Sequence, residues 1–197
     1  VLDLQALLND TEPVTPGLEN AQAYPKVETP PELWMLGSSS DSSSLAALAG
    51  LPYNFAHFIN PMIGPEIFEN YRENFQAGPN CDSPHSVLTV FTICAETEKE
   101  ALELSKSRDL WFIRLLRGNP GPFPSVQEAA DYAYSAREIE VIEENRKKRA
   151  IGTPEQVCEK LESYVNDFEL DELMILTITH SKRARTKSYE LLYSNWN

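Results

Sequence analysis

A chain of 197 residues, 42% of them hydrophobic, can bury the core of one domain. Its formal charge of -13 argues against a broad nucleic-acid footprint, which needs clustered Lys and Arg. No apolar run approaches the roughly 20 residues that span a bilayer, and Cys81, Cys94 and Cys158 show no metal or disulfide spacing, so a cytoplasmic protein with no membrane, nucleic-acid or metal partner is expected.

Residues 1 to 9 read as an amphipathic helix with Val1, Leu4, Leu7 and Leu8 on one face. Because the chain starts at Val1 inside that helix, further residues are expected before it. Thr11 to Thr29 is a Pro-rich connection. Pro30 and Pro31 lead into a strand at Leu33 to Leu36. A helix follows from about Asp41 to Ala49, with Gly50 placed to cap it. A second strand, Tyr53 to Phe58, ends at Asn60 and Pro61. Gly64 and Pro65 then open a helix with Ile67, Phe68, Tyr71 and Phe75 at helical spacing.

Ser86 to Ala95 is β-branched throughout and predicts a strand buried on both faces, as parallel strands are. Thr97 with Glu100 forms a capping box for a helix through Leu116. Arg117 to Pro124, RGNPGPFP, interrupts regular structure, and helices near Ser125 to Tyr132 and Ser135 to Arg149 follow without a strand between them. This segment, 117–150, is an insertion. Thr153, Pro154 and Gln156 start a helix to about Phe168. Glu172 to Thr179 predicts a fourth buried strand, and Ser181 to Asn195 the closing helix. The basic runs Arg146 to Arg149 and Lys182 to Lys187 read as solvated helix faces.

Four strands, each followed by a helix, predict an α/β domain, either doubly wound or part of a (β/α)8 TIM barrel, of which four βα units are half. The first unit carries the chemistry. An apolar strand runs into GSSSDSSS and then directly into a helix, so backbone amides, serine hydroxyls and the helix dipole converge on one turn, an arrangement suited to a phosphate. The bland alternative is a flexible Ser-rich loop. No GxSxG elbow supports a nucleophilic serine, and His57, His85 and His180 are too scattered for a metal set.

Taken together, PELWMLGSSSDSSSLAALAGLPYNFAHFINP, YRENF, RLLRGNPGPFPS, IGTPEQV and DELMILTITH, followed by Arg185 and Ser188 to Leu192, resemble the bacterial luciferase-like FMN-dependent monooxygenases, C-terminal half. The resemblance implies a (β/α)8 barrel that takes reduced FMN from a separate flavin reductase and uses O2 to oxidise a small organic substrate. By that resemblance Leu36 supports the flavin ring, and Ser38, Ser39 and Ser42 hold its phosphate; a glutamate stands in luciferase where this chain has Ser38. It also makes 117–150 a mobile lid that shields flavin chemistry from water. Arg114 and Arg117 are within its reach of an anion but read as solvated. The family's substrate-side residues belong to the first four βα units, so the catalytic residues are unassigned, with His180, just past the last strand, the positional candidate. His57 and Trp34 read as core residues. The alternative is a non-enzymatic flavin-binding or structural half-barrel, completed by a second copy or by a separate N-terminal half.

Overall fold

The computed structural model describes residues 1–196. These divide into two compact units, residues 1–56, 63–88 and 168–172 forming one, and 57–62, 89–167 and the chain from 173 onward forming the other. No helix among the described residues is long and apolar enough to cross a membrane.

The first unit holds α1 (Leu2–Leu8), β1 (Met35–Gly37), α2 (Ser40–Leu48), β2 (Tyr53–Phe55), α3 (Glu66–Glu73) and the start of β3 (Ser86–Cys94). The strands run parallel, with Met35 opposite Tyr53 and Gly37 opposite Phe55, then Tyr53 opposite Ser86. Its core is aromatic: Tyr53 packs against Phe68 and Tyr71 with ring centroids 5.9 and 5.5 Å apart. Ser43, Ala46 and Ala47 form the buried face of α2, and residues this small let the helix lie close to its neighbours. The Ser43 hydroxyl donates to the Ile67 carbonyl at 2.9 Å, tying α2 to α3. Gly50 adopts φ +60°, which lets its own N–H reach Ala47 O and that of Leu51 reach Ala46 O, a Schellman closure.

The second unit holds the rest of β3 with α4 (Glu98–Leu116), α5 (Val126–Asp131), α6 (Ala136–Lys147), β4 (Ala150–Gly152), most of α7 (Pro154–Phe168) and of β5 (Glu172–Leu176), and α8 (Lys182–Asn195). β4 pairs in parallel with β3, Thr92 opposite Ala150 and Cys94 opposite Gly152, and β5 also pairs with β3. All nine β3 residues are buried, as their continuous apolar and β-branched run predicts. Phe91, Ile93 and Ala95 form a cluster with Ala101 of α4.

Several expectations are corrected. The first helix buries Gln5 and Ala6 and leaves Val1 and Leu4 exposed, because the Gln5 amide donates to Ala49 O at 2.7 Å and sets which face turns inward. The first strand is Met35–Gly37, and Leu36 is 58% exposed. β2 ends at Phe55, and α3 ends before Phe75. The short β4 adds a fifth strand after the insertion. The last strand is shorter than expected and leaves Glu172 and Met174 exposed rather than buried.

Candidate functional site

The β1–α2 turn is a tightly specified piece of backbone. Ser39 is the N-cap of α2, and its hydroxyl oxygen accepts the Ser42 N–H at 3.3 Å. In return the Ser39 N–H donates to Ser42 Oγ at 3.3 Å, completing a capping box made of two serines. The Ser42 hydroxyl also donates to Ser39 O at 2.7 Å. Ser42 lies so close to the strand that a Cβ on Gly37 would sit 2.1 Å from its Oγ and 2.2 Å from its Cβ, so only glycine fits there.

This network separates the serines that the sequence puts on one footing. The Ser42 hydroxyl bonds within the turn and to the Tyr53 hydroxyl, 3.0 Å away, so it belongs to the scaffold. Ser39 accepts one bond and keeps its own hydroxyl hydrogen for an outside acceptor. The amides of Ser40 and Asp41, at the first two helical positions, have no intrahelical acceptor by construction. Three donors therefore stand at the N-terminus of α2, where the helix dipole adds partial positive charge. Asp41 is the one group in this first turn that opposes an anion. Ser38 is half-buried beside the cap, and Leu36 presents an exposed aliphatic surface one residue before Gly37. Trp34 is not core: it is 38% exposed, its ring centroid 5.4 Å from that of His85 in a T-shaped contact.

In the second unit His180 is exposed, beyond the end of β5. Arg114 and Arg117 are not open to an anion, since they pair with Glu128 and Glu138, each at 2.7 Å. The Arg114 bond holds the Glu128 carboxyl below its ordinary range.

The run Arg146 to Arg149 is only partly a solvated face. Arg149 is buried, and its guanidinium lies 5.1 Å from the Phe91 ring centroid, with Arg108 5.6 Å from the same ring. Both donate to Asn145 Oδ1, at 2.7 and 3.0 Å. Asp109, 3% exposed, accepts from Arg146 Nε at 2.8 Å. Burial pushes Arg149 down to about 9 and Arg108 to about 10, which leaves both cationic at neutral pH. His57 is buried as expected, but its Nδ1 has no hydrogen-bond partner among the described residues, and burial beside Arg149 and Lys160 lowers its pKa to about 4. Sequence reasoning missed this cluster. Its one available signal was the adjacent Arg108 and Asp109 on a helix whose other buried positions are mostly small or apolar.

The chain is 38% identical over 190 residues to the uncharacterized protein YceB of Bacillus subtilis (strain 168), covering 96% of this chain and 57% of that one. The crystal structure of apo-MsnO8 matches with a TM-score of 0.74 at 29% identity, over 88% of this chain and 54% of that chain. The FMN complex of the oxygenating constituent of 3,6-diketocamphane monooxygenase, from the CAM plasmid of Pseudomonas putida, shares the fold alone, with a TM-score of 0.53 at 20% identity over 83% of this chain and 47% of that chain. The chain thus spans about half the length of these relatives, and its parallel α/β units are those of a luciferase-like TIM barrel. The family model for luciferase-like monooxygenases matches residues 6–168, and the chain belongs to that family.

Proposed function

We propose that the β1–α2 turn holds the phosphate of reduced FMN, and that the whole protein is an FMN-dependent monooxygenase oxidising a small organic substrate with O2. The observation that carries the reading is the turn, where the Ser39 hydroxyl and the Ser40 and Asp41 amides offer three donors at the N-terminus of α2. The fit to a phosphate is good, since its oxygens are acceptors only and gain from charge-assisted bonds. Leu36, exposed beside the turn, gives apolar surface to a flavin ring. Ser38 flanks the same turn, and Ser42 holds it in shape. When bound, reduced FMN supplies the electrons and the site of reaction with O2, and a separate flavin reductase is its source. Segment 117–150 acts as the movable cover, with Gly118 and Gly121 at φ +73° and +54° providing bends that residues with side chains rarely adopt. His180 remains the positional candidate for a substrate-side role.

The test is to titrate the protein with FMN and with riboflavin, following flavin fluorescence. Three phosphate donors predict FMN binding tighter by about tenfold or more, and Ser39→Ala removes a substantial part of that difference. Equal affinity for the two flavins sinks the phosphate assignment, and tight binding of F420 with weak binding of FMN replaces the cofactor.

A second reading, a structural half-barrel completed by another chain, is favoured by β1, which pairs only with β2 among the described residues and carries the exposed Leu36. Isolation of the chain as an obligate complex that binds no flavin decides for it.

A further inference from the structure

We infer that Tyr53 is the positioning residue of the β1–α2 turn, its buried hydroxyl locking Ser42 into the scaffold so that Ser39 is left as the side-chain donor; this rests on the phosphate reading above.

Tyr53 is fully buried on β2, and its ring is held by Phe55, Phe68 and Tyr71 at centroid distances of 6.2, 5.9 and 5.5 Å. A phenylalanine would fill that slot. The hydroxyl is therefore surplus to packing, and a desolvated hydroxyl is retained at a cost unless its bonds are returned. Here they return only to the turn: Tyr53 Oη is 3.0 Å from Ser42 Oγ and donates to Ser39 O at 3.2 Å. The contrast with Tyr71 is direct, since that hydroxyl donates to Leu51 O at 2.8 Å and accepts the His85 N–H at 3.1 Å, bonds that brace the starts of β2 and β3.

The hydrogens can be counted. Ser42 and Tyr53 bring two hydroxyl hydrogens, and the acceptors within reach are Ser39 O, Ser42 Oγ and Tyr53 Oη. In every arrangement both hydrogens are spent inside this group: one hydroxyl donates to the other while that other donates to Ser39 O, or both donate to Ser39 O, which also accepts the Ser43 N–H at 3.3 Å. With its carbonyl fixed, Ser39 is left one rotor, its hydroxyl, which already accepts from Ser42 N–H and so aims its hydrogen outward. Burial raises the Tyr53 phenol to about 12, so it remains a donor across the working pH range.

The experiment compares Tyr53→Phe, Ser42→Ala and the double variant by their FMN and riboflavin dissociation constants. The expected result is an FMN constant raised about fivefold in Tyr53→Phe, a riboflavin constant within about twofold of wild type, and a double variant no worse than either single one, because the two hydroxyls act as one lock. Rescue is part of the test: Ser42→Thr, which keeps a hydroxyl at the position, retains the wild-type FMN-to-riboflavin ratio. An unchanged ratio in Tyr53→Phe, or losses that multiply in the double variant, overturn the positioning role while leaving the phosphate site standing. A ratio near one in the wild type overturns both. If Tyr53→Phe unfolds, Ser42→Ala, which leaves the aromatic cluster intact, decides on the same ratio.

Discussion

His57 makes the protein acid-sensitive in a defined window. The ring is 2% exposed, its centroid lies 5.0 Å from that of Tyr164, and Arg149 and Lys160 disfavour its protonation, so its pKa falls from 6.5 to about 4. The unfolded chain then binds a proton from about pH 6.5 downward while the folded chain does not until about pH 4. Stability from this residue is complete above pH 6.5 and is lost as pH falls through the folded value. A shift of this size is worth about 3 kcal/mol in full, of which about 2 kcal/mol is expressed between pH 7 and pH 4.5. The assay is urea unfolding at both pH values for wild type and His57→Gln, which cannot take up charge. The many carboxylates titrate alike in both proteins, so the difference between the two losses isolates the histidine. Equal losses in wild type and variant refute the reasoning.

Gly37→Ala drives a methyl group into the Cβ and Oγ of Ser42, and the Cβ, fixed to the backbone, cannot swing away. It is expected to destabilise by about 1–3 kcal/mol and to abolish FMN discrimination over riboflavin, read by thermal unfolding and the same flavin titration. Arg146→Ala leaves the Asp109 carboxylate buried with only Ser105 and the nearby Arg108 to offset it. A loss of about 3 kcal/mol is expected, and Asp109→Leu combined with Arg146→Met recovers most of it; denaturant melts in which the pair costs as much as Arg146→Ala contradict this account.

The parts of the fold readable in the sequence were those that local chemistry decides. SVLTVFTIC is apolar or β-branched at nearly every position, and such a run has few homes other than a strand covered on both faces. Thr153 and Gln156 exchange bonds at 2.9 and 3.5 Å as their spacing predicts, whereas Thr97 caps α4 by accepting from Glu100 N–H. What could not be read depends on partners far along the chain. Ser39 and Ser42 look equivalent until Tyr53, 11 residues beyond Ser42, claims one of them. The face of α1 was misjudged because a polar residue, Gln5, is buried by a bond to Ala49, 44 residues away. Three-residue β4 is too short to leave a periodic signal. Arg146 and Arg149 sit in what reads as a basic surface run, and only the bond of one to the buried Asp109 and the stacking of the other on Phe91 show that they face inward.

The buried cluster also bears on how segment 117–150 works as the proposed cover. Its C-terminal part is pinned: Arg146 reaches Asp109 on α4, Asn145 serves both Arg108 and Arg149, and the chain then enters β4 on β3. These groups are largely out of water, and parting them leaves charges without partners, which is costly. The N-terminal part is held differently. Arg114 with Glu128 and Arg117 with Glu138 are pairs in which at least one side chain is well exposed, and such pairs are screened by water and salt. Gly118 and Gly121 follow Arg117 at the end of α4, ahead of Glu128 and Glu138, both in the left-handed region and both with open space around the missing Cβ. The segment is therefore built with an anchored end and a releasable end. Motion confined to residues 118–135 parts Arg114 from Glu128 and uncovers the buried Ala129 of α5, while α6 keeps its last turn fixed to α4. If the segment is the proposed cover, bending at its glycines would move it without unfolding the buried arginine cluster.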